Sequence, residues 1–90
     1  MVLQPECTLA DAAELKGALC ALLAHEATVT LDGALVDRID TAVLQLLAAF
    51  VRDRRLAGRA VEWRAVSRAM HSAAQLLGMG SMLSLSEAAQ

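Results

Sequence analysis

The chain has 90 residues, eight basic and ten acidic side chains for a formal net charge of −2, two cysteines, two histidines, and two aromatic residues, Phe50 and Trp63. That length reads as one small domain over residues 1–90, with a core of Leu, Val and Ala, and without the basic, aromatic-rich surface of a nucleic-acid binder. No apolar run approaches the roughly 18 residues a spanning helix needs, no charged-then-apolar leader opens the chain, and two cysteines outside CxxC spacing read as reduced thiols in a cytoplasmic protein.

The charge is uneven. Residues 1–50 carry Lys16 and Arg38 against seven acids, a net of −5, whereas residues 51–90 carry six Arg against three acids, a net of +3. Such asymmetry reads either as a solvated mixed face, the commoner case, or as a bias on the approach of a partner.

Val2 to Gln4 reads as a brief edge strand, stopped by Pro5, which has no N–H for a ladder. Thr8 with Asp11 three residues on has the form of a capping box. The helix it opens runs to about Ala24 and places Leu15, Ala18, Leu19, Leu22 and Leu23 on one buried face. Cys20 reads as a small buried hydrophobe inside it, and Gly17 costs that helix up to about 1 kcal/mol relative to Ala. Ala27 to Asp32 alternates and is rich in β-branched residues, so it is a strand with Val29 and Leu31 on one side, broken at Asp32-Gly33.

The central helix follows. Asp40 suits the N-cap, where a short carboxylate accepts a bond from an unpaired amide of the first turn, and Thr41 is then the first helical residue. Leu44, Leu47, Ala48 and Val51 form one stripe, and Val43, Leu46 and Phe50 widen it beyond a normal core face. Arg52, Arg54 and Arg55 suit the negative end of the helix dipole, and Gly58 the stop. Val61 and Trp63 alternate with Glu62 and Arg64 in a second clear strand. Ser67 caps a third helix that runs to Leu77, with Met70, Ala73, Ala74 and Leu77 inward, and Gly78 ends it. Met82 to Leu85 reads as a last short strand, and Ser86 to Gln90 as a polar stub. One leucine from each helix, Leu19, Leu47 and Leu77, is expected in the core. Alternation of strands and helices argues an α/β layer.

Catalytic groupings are missing from this pattern. It has no phosphate loop, no GxGxxG turn, and no Ser/His/Asp or Cys/His arrangement. His25 and His71 stand alone, without partners at metal spacing. The expectation is therefore no metal, no cofactor and no enzyme activity.

Asp40-Thr41-Ala42, following the strand at Val29–Leu31 and the connector Leu35-Val36-Asp37-Arg38-Ile39, resembles the Asp-Ser/Thr-Ser/Ala-Gly motif of the STAS domain family. The similarity extends through Leu15, Leu19 and Leu22, through Leu44-Gln45-Leu46-Leu47, through Ser67, and through Leu76-Leu77-Gly78-Met79. It implies a four- or five-stranded mixed sheet with about three helices packed on one side, and a non-enzymatic role in protein–protein contact. The family includes bacterial anti-sigma factor antagonists, in which a partner kinase phosphorylates the Ser or Thr after the Asp, the position of Thr41. It also includes a small subunit of a bacterial phospholipid-transport ABC complex, where a Thr at this site supports binding to the ATPase, and small proteins linked to chemotaxis clusters. Three departures stand out: Val43 replaces the family's Gly, the N-terminal strands are shortened, and the final helix is reduced to a stub. The resemblance implies a switch at Thr41 and a partner surface of Asp40, Thr41, Val43, Leu46 and Phe50, facing a kinase-like anti-sigma factor or an ABC ATPase.

Overall fold

Apolar side chains recur at every second residue in 29–31 and at every third or fourth in 43–51. These spacings become strand and helix respectively. A computed structural model of the chain describes residues 1–83; the expected Ser86–Gln90 stub, and Ser84 and Leu85 of the expected last strand, lie outside the described residues. The elements are β1 (Glu6–Cys7), a 3-10 turn (Leu9–Asp11), α1 (Ala12–Leu22), β2 (Val29–Gly33), β3 (Arg38–Ile39), α2 (Thr41–Leu56), β4 (Val61–Val66), α3 (Arg68–Leu76) and α4 (Gly80–Leu83).

The order confirms an α/β domain, but the sheet differs from the expected one. Among the described residues the strands form two parallel pairs, β1 with β3 and β2 with β4, rather than one mixed sheet of four or five. Val29 lies opposite Val61 and Leu31 opposite Trp63, and the register slips before Asp32, which lies opposite Ala65. The expected edge strand at Val2–Gln4 is reduced to one bridge, Val2 to Asp32. Pro5 explains the break. It has no N–H to give, while its carbonyl accepts from Asp37 N at 2.7 Å and Arg38 N at 3.1 Å, so the chain passes from the side of β2 to the side of β3 at this residue. Parallel pairing demands crossover connections, and α1 and α2 supply them. The expected last strand is also corrected: its first half, Met82 and Leu83, lies in α4.

Val29 and Leu31 are buried, while Thr30, Glu62 and Arg64 are exposed on the opposite face. The core gathers Leu31, Val36, Val43, Leu44, Leu47, Val51, Met70 and Leu83. Trp63 is half-buried and donates its indole N–H to the Leu83 carbonyl at 2.8 Å. Ser67 caps α3 as expected: its hydroxyl accepts from Met70 N at 3.1 Å and donates to the Val36 carbonyl.

Both glycine stops are real, at φ +73° for Gly58 and +67° for Gly78. Arg59 N reaches Arg54 O while Gly58 N reaches Arg55 O, and Met79 N reaches Ala74 O while Gly78 N reaches Gln75 O. This paired pattern satisfies the last carbonyls of each helix. It also explains why Leu77 is not core. Leu77 caps the end of α3 at 47% exposed, and the reversal at Gly78 sends Met79 and Leu83 inward instead.

α1 buries less than its sequence suggested. Of its expected face only Leu19 is buried; Leu15, Leu22 and Leu23 are half-buried, and Ala18 and Cys20 are exposed. The helix packs on α2 at the margin of the fold, so its apolar stripe is only partly covered. What fixes its end is Arg54, which the sequence placed in the last turns of α2 as a match for that helix's own dipole. Arg54 is fully buried, and its guanidinium donates to the carbonyls of Leu22 (3.1 Å), Leu23 (3.4 Å), His25, Ala27 (3.0 Å) and Ala60 (2.7 Å). One cation thus satisfies the open carboxy end of α1, the connection to β2, and the residue before β4.

Replacing Arg54 by Met keeps the volume but strands these carbonyls, and should cost about 3–5 kcal/mol. Arg54→Lys, with three donors and no fork, should recover only part of this. Urea denaturation midpoints check both. The same measurement should show Leu19→Ala and Leu47→Ala losing about 2–5 kcal/mol, and the half-exposed Leu77→Ala losing within about 1 kcal/mol.

Candidate functional site at the head of the central helix

Asp40 carries extended backbone angles, φ −80° and ψ 153°, and its carbonyl accepts from Val43 N at 3.0 Å and Leu44 N at 3.1 Å. It is therefore the N-cap of α2 by backbone. Its carboxylate, however, does not bond an amide of its own helix. Oδ2 instead accepts from Leu9 N at 2.8 Å, and Oδ1 lies 3.7 Å from Arg38 Nε. The β1–β3 pairing causes this, because the Asp40 N–H bonds to the Cys7 carbonyl at 2.9 Å and draws the following turn alongside. Leu9 opens the 3-10 turn, where an amide has no partner within its own helix. The expected capping box is present in altered form: the Asp11 carboxylate accepts from Thr8 N at 3.4 Å and from Thr8 Oγ1 at 2.9 Å. Two carboxylates thus secure one short turn, and that turn sits beside the start of α2.

Thr41 is the first residue of α2 and is exposed. Val43 and Phe50 are not exposed. They are 0% and 3% accessible, so the strip expected to meet a partner is largely core. The reason is the position of α2, which packs against α1 on one side and β4 and α4 on the other. A helix sandwiched in this way needs apolar residues around more of its circumference than a helix on one face of a sheet. Leu46 alone of the three stays half-buried. With Ala42, Gln45 and Ala49 of α2 and Ala12, Ala13 and Lys16 of α1 it lines a shallow groove of about 350 Å³.

Acidic residues recur in β1, the 3-10 turn and the segment before α2. Glu6 and Asp37 are exposed and Asp11 and Asp40 half-buried, with the exposed Arg38 among them. Cys7, at the end of β1, is buried, and its thiol donates to the Gln4 carbonyl at 3.3 Å. Burial first, and then the Asp11 carboxylate, raise the Cys7 thiol pKa above its ordinary value. His25 is exposed and His71 half-buried. Among the described residues no group of three His, Cys, Asp or Glu side chains is arranged to hold a metal ion, and no helix is long and apolar enough to cross a membrane.

The structure therefore brings together Asp40 and Thr41 as the sequence expected, adds Leu9 and Arg38, and withdraws Val43 and Phe50. Leu9 carried only a weak signal, an apolar residue inside the Thr8–Asp11 box. Nothing in its neighbourhood announces a carboxylate 31 residues away.

A family model described as "Mlab, STAS domain" matches residues 1–85. No curated protein matches the chain.

The burial of Cys7 and the exposure of Cys20 predict unequal thiols. With a maleimide at neutral pH, Cys20 should label quickly and Cys7 slowly, because Cys7 is both covered and poorer in thiolate. Mass spectrometry of the digested protein reads the two sites separately, and equal rates would show that the segment before α1 opens freely.

Proposed function

The chain belongs to the STAS domain family, whose members are in general non-enzymatic protein-interaction domains, and we propose that it is a regulator of the anti-sigma-factor-antagonist type, switched by phosphorylation of Thr41. One observation carries this reading. Thr41 is exposed at the first turn of α2, and the Val43 that replaces the family's Gly is turned wholly into the core. A kinase approaching Thr41 meets no valine side chain.

The electrostatics suit a switch. A phosphate on Thr41 carries about −1.5 to −2 charge at pH 7. It stands at the positive end of α2, which favours it, and beside Asp40, which opposes it. The fold tolerates the group, while the surface offered to a partner gains negative charge. Asp40, Thr41 and Leu46 supply that surface, with Val43 and Phe50 supporting it from beneath.

A second reading makes the chain an accessory subunit of a bacterial ABC complex for phospholipid transport, binding its ATPase through the same helix. The groove around Leu46 favours it, because a shallow apolar contact works with the hydroxyl unmodified.

Thr41 variants separate the two. The probes are the purified kinase-type anti-sigma factor and the transporter ATPase of the same source, each titrated against the wild-type chain, Thr41→Glu and Thr41→Ala, with circular dichroism as the folding control. The switch reading predicts that Thr41→Glu weakens binding of the anti-sigma factor at least roughly tenfold, about 1.4 kcal/mol, while Thr41→Ala binds as wild type. The transport reading predicts that Thr41→Ala also weakens binding, to the ATPase. Wild-type affinity in both variants would remove Thr41 from the contact.

A further inference from the structure

Thr41 and the head of α1 are joined by one side chain. Asp40, the neighbour of Thr41, holds the Leu9 amide at 2.8 Å through Oδ2 and faces Arg38 Nε at 3.7 Å through Oδ1. Leu9 is 67% exposed, so its position is set by this bond and by the Thr8–Asp11 bracket rather than by burial. From this geometry we infer that Asp40 is a relay: charge placed on Thr41 releases the Leu9 amide from Asp40 and shifts the 3-10 turn. The inference rests on the reading of Thr41 as a phosphoryl acceptor and names how that site is read out.

The modifying step transfers the γ-phosphoryl group of a nucleoside triphosphate. A P–O bond forms to Thr41 Oγ, the β–γ bridge breaks, the hydroxyl proton passes to the kinase's base, and a nucleoside diphosphate leaves. The product places up to two negative charges one residue from Asp40. Three effects then act in the same direction. Repulsion between phosphate and carboxylate disfavours the present Asp40 rotamer. The phosphate is the stronger partner for the exposed Arg38, so Asp40 loses its nearest counter-charge. The phosphate oxygens also compete with the Asp40 carboxylate as acceptors for the Leu9 amide. Leu9 is bonded to Asp40, and Thr41 follows Asp40 in sequence, so releasing the turn moves an exposed apolar side chain relative to the head of α2. A partner fitted to both then loses two contacts for one modification.

The test needs no partner. Nitrogen-15 NMR on the full chain follows the Leu9 amide shift and its hydrogen exchange, with the amides of Leu31 and Leu47 reporting on the fold. Asp40→Ala should displace the Leu9 resonance and raise its exchange on the order of tenfold, as expected for loss of one bond to a charged acceptor. Thr41→Glu should move Leu9 in the same direction, and Thr41→Ala should leave it in place. The decisive comparison is Thr41→Glu in an Asp40→Asn background, where the amide side chain still accepts from Leu9 but carries no charge. There the effect of Thr41→Glu on Leu9 should largely disappear, which a merely structural role for Asp40 would not produce. An unmoved Leu9 in Thr41→Glu, or an equal response with Asp40 and with Asn, overturns the relay. So does an unchanged Leu9 in Asp40→Ala with Leu31 and Leu47 intact. These outcomes are independent of the partner titrations: a silent Leu9 beside weakened binding in Thr41→Glu would leave the switch standing and reduce its mechanism to surface charge alone.

Discussion

The Arg54 guanidinium is the interaction on which the arrangement of helices depends. α1 fully buries only Leu19 from its apolar face, too little to fix a helix by packing alone. Arg54 supplies the constraint by gathering the carbonyls of Leu22, Leu23, His25, Ala27 and Ala60 around one buried cation. At the other end of α2, Asp40 does the reverse and accepts the amide of Leu9. The central helix thus holds its neighbour at both ends, with a donor at the carbonyl end and an acceptor at the amide end. Each group complements the partial charge that the helix end presents. The two helices therefore run side by side in the same direction, as parallel crossovers require.

On the proposed reading, this arrangement separates stability from recognition along one helix. The Arg54 end is buried and joins elements that do not change. The Asp40 end is half-exposed, and its bonds reach a short turn that is anchored only by side chains. Val43 and Phe50 belong to the first task, since their burial lets α2 carry α1 on one side and β4 and α4 on the other. Thr41 and Leu46 remain for the second. A regulatory domain gains from this division, because a charge at the head of the helix can alter the surface without unfolding the middle.

Much of this was legible in the sequence, for physical reasons that differ by element. The β-branched alternation of Val29 to Leu31 and the helical spacing of Leu44, Leu47 and Val51 gave β2 and α2, since local pattern dictates both. Gly58 and Gly78 marked helix ends because only a residue without Cβ takes positive φ cheaply. Ser67 was readable as a cap, and Asp40-Thr41-Ala42 pointed to the family. Long-range pairing was not readable. Asp40 looked like a cap for its own helix and serves another turn, and Arg54 looked like a match for its own helix dipole and is a buried cation that serves α1. Leu77 was misplaced because it lies at the end of α3, one residue before the reversal at Gly78, where helical spacing no longer predicts direction. Val43 and Phe50 stood open between a core helix covered on both sides and a partner strip, because a width of apolar surface does not say whether a partner or the domain itself will cover it; their burial favours the core.

The central claim is that this domain meets its partner at the amino-terminal end of α2, through Thr41 and the adjoining turn at Leu9, with Leu46 further along the helix. Hydrogen-exchange footprinting of the complex with the anti-sigma factor or the transporter ATPase tests it most directly. The account predicts new protection in residues 8–16 and 38–46, with the exposed sheet face at Thr30, Glu62 and Arg64 unchanged. Protection confined to that sheet face, with residues 38–46 exchanging as in the free protein, would contradict it.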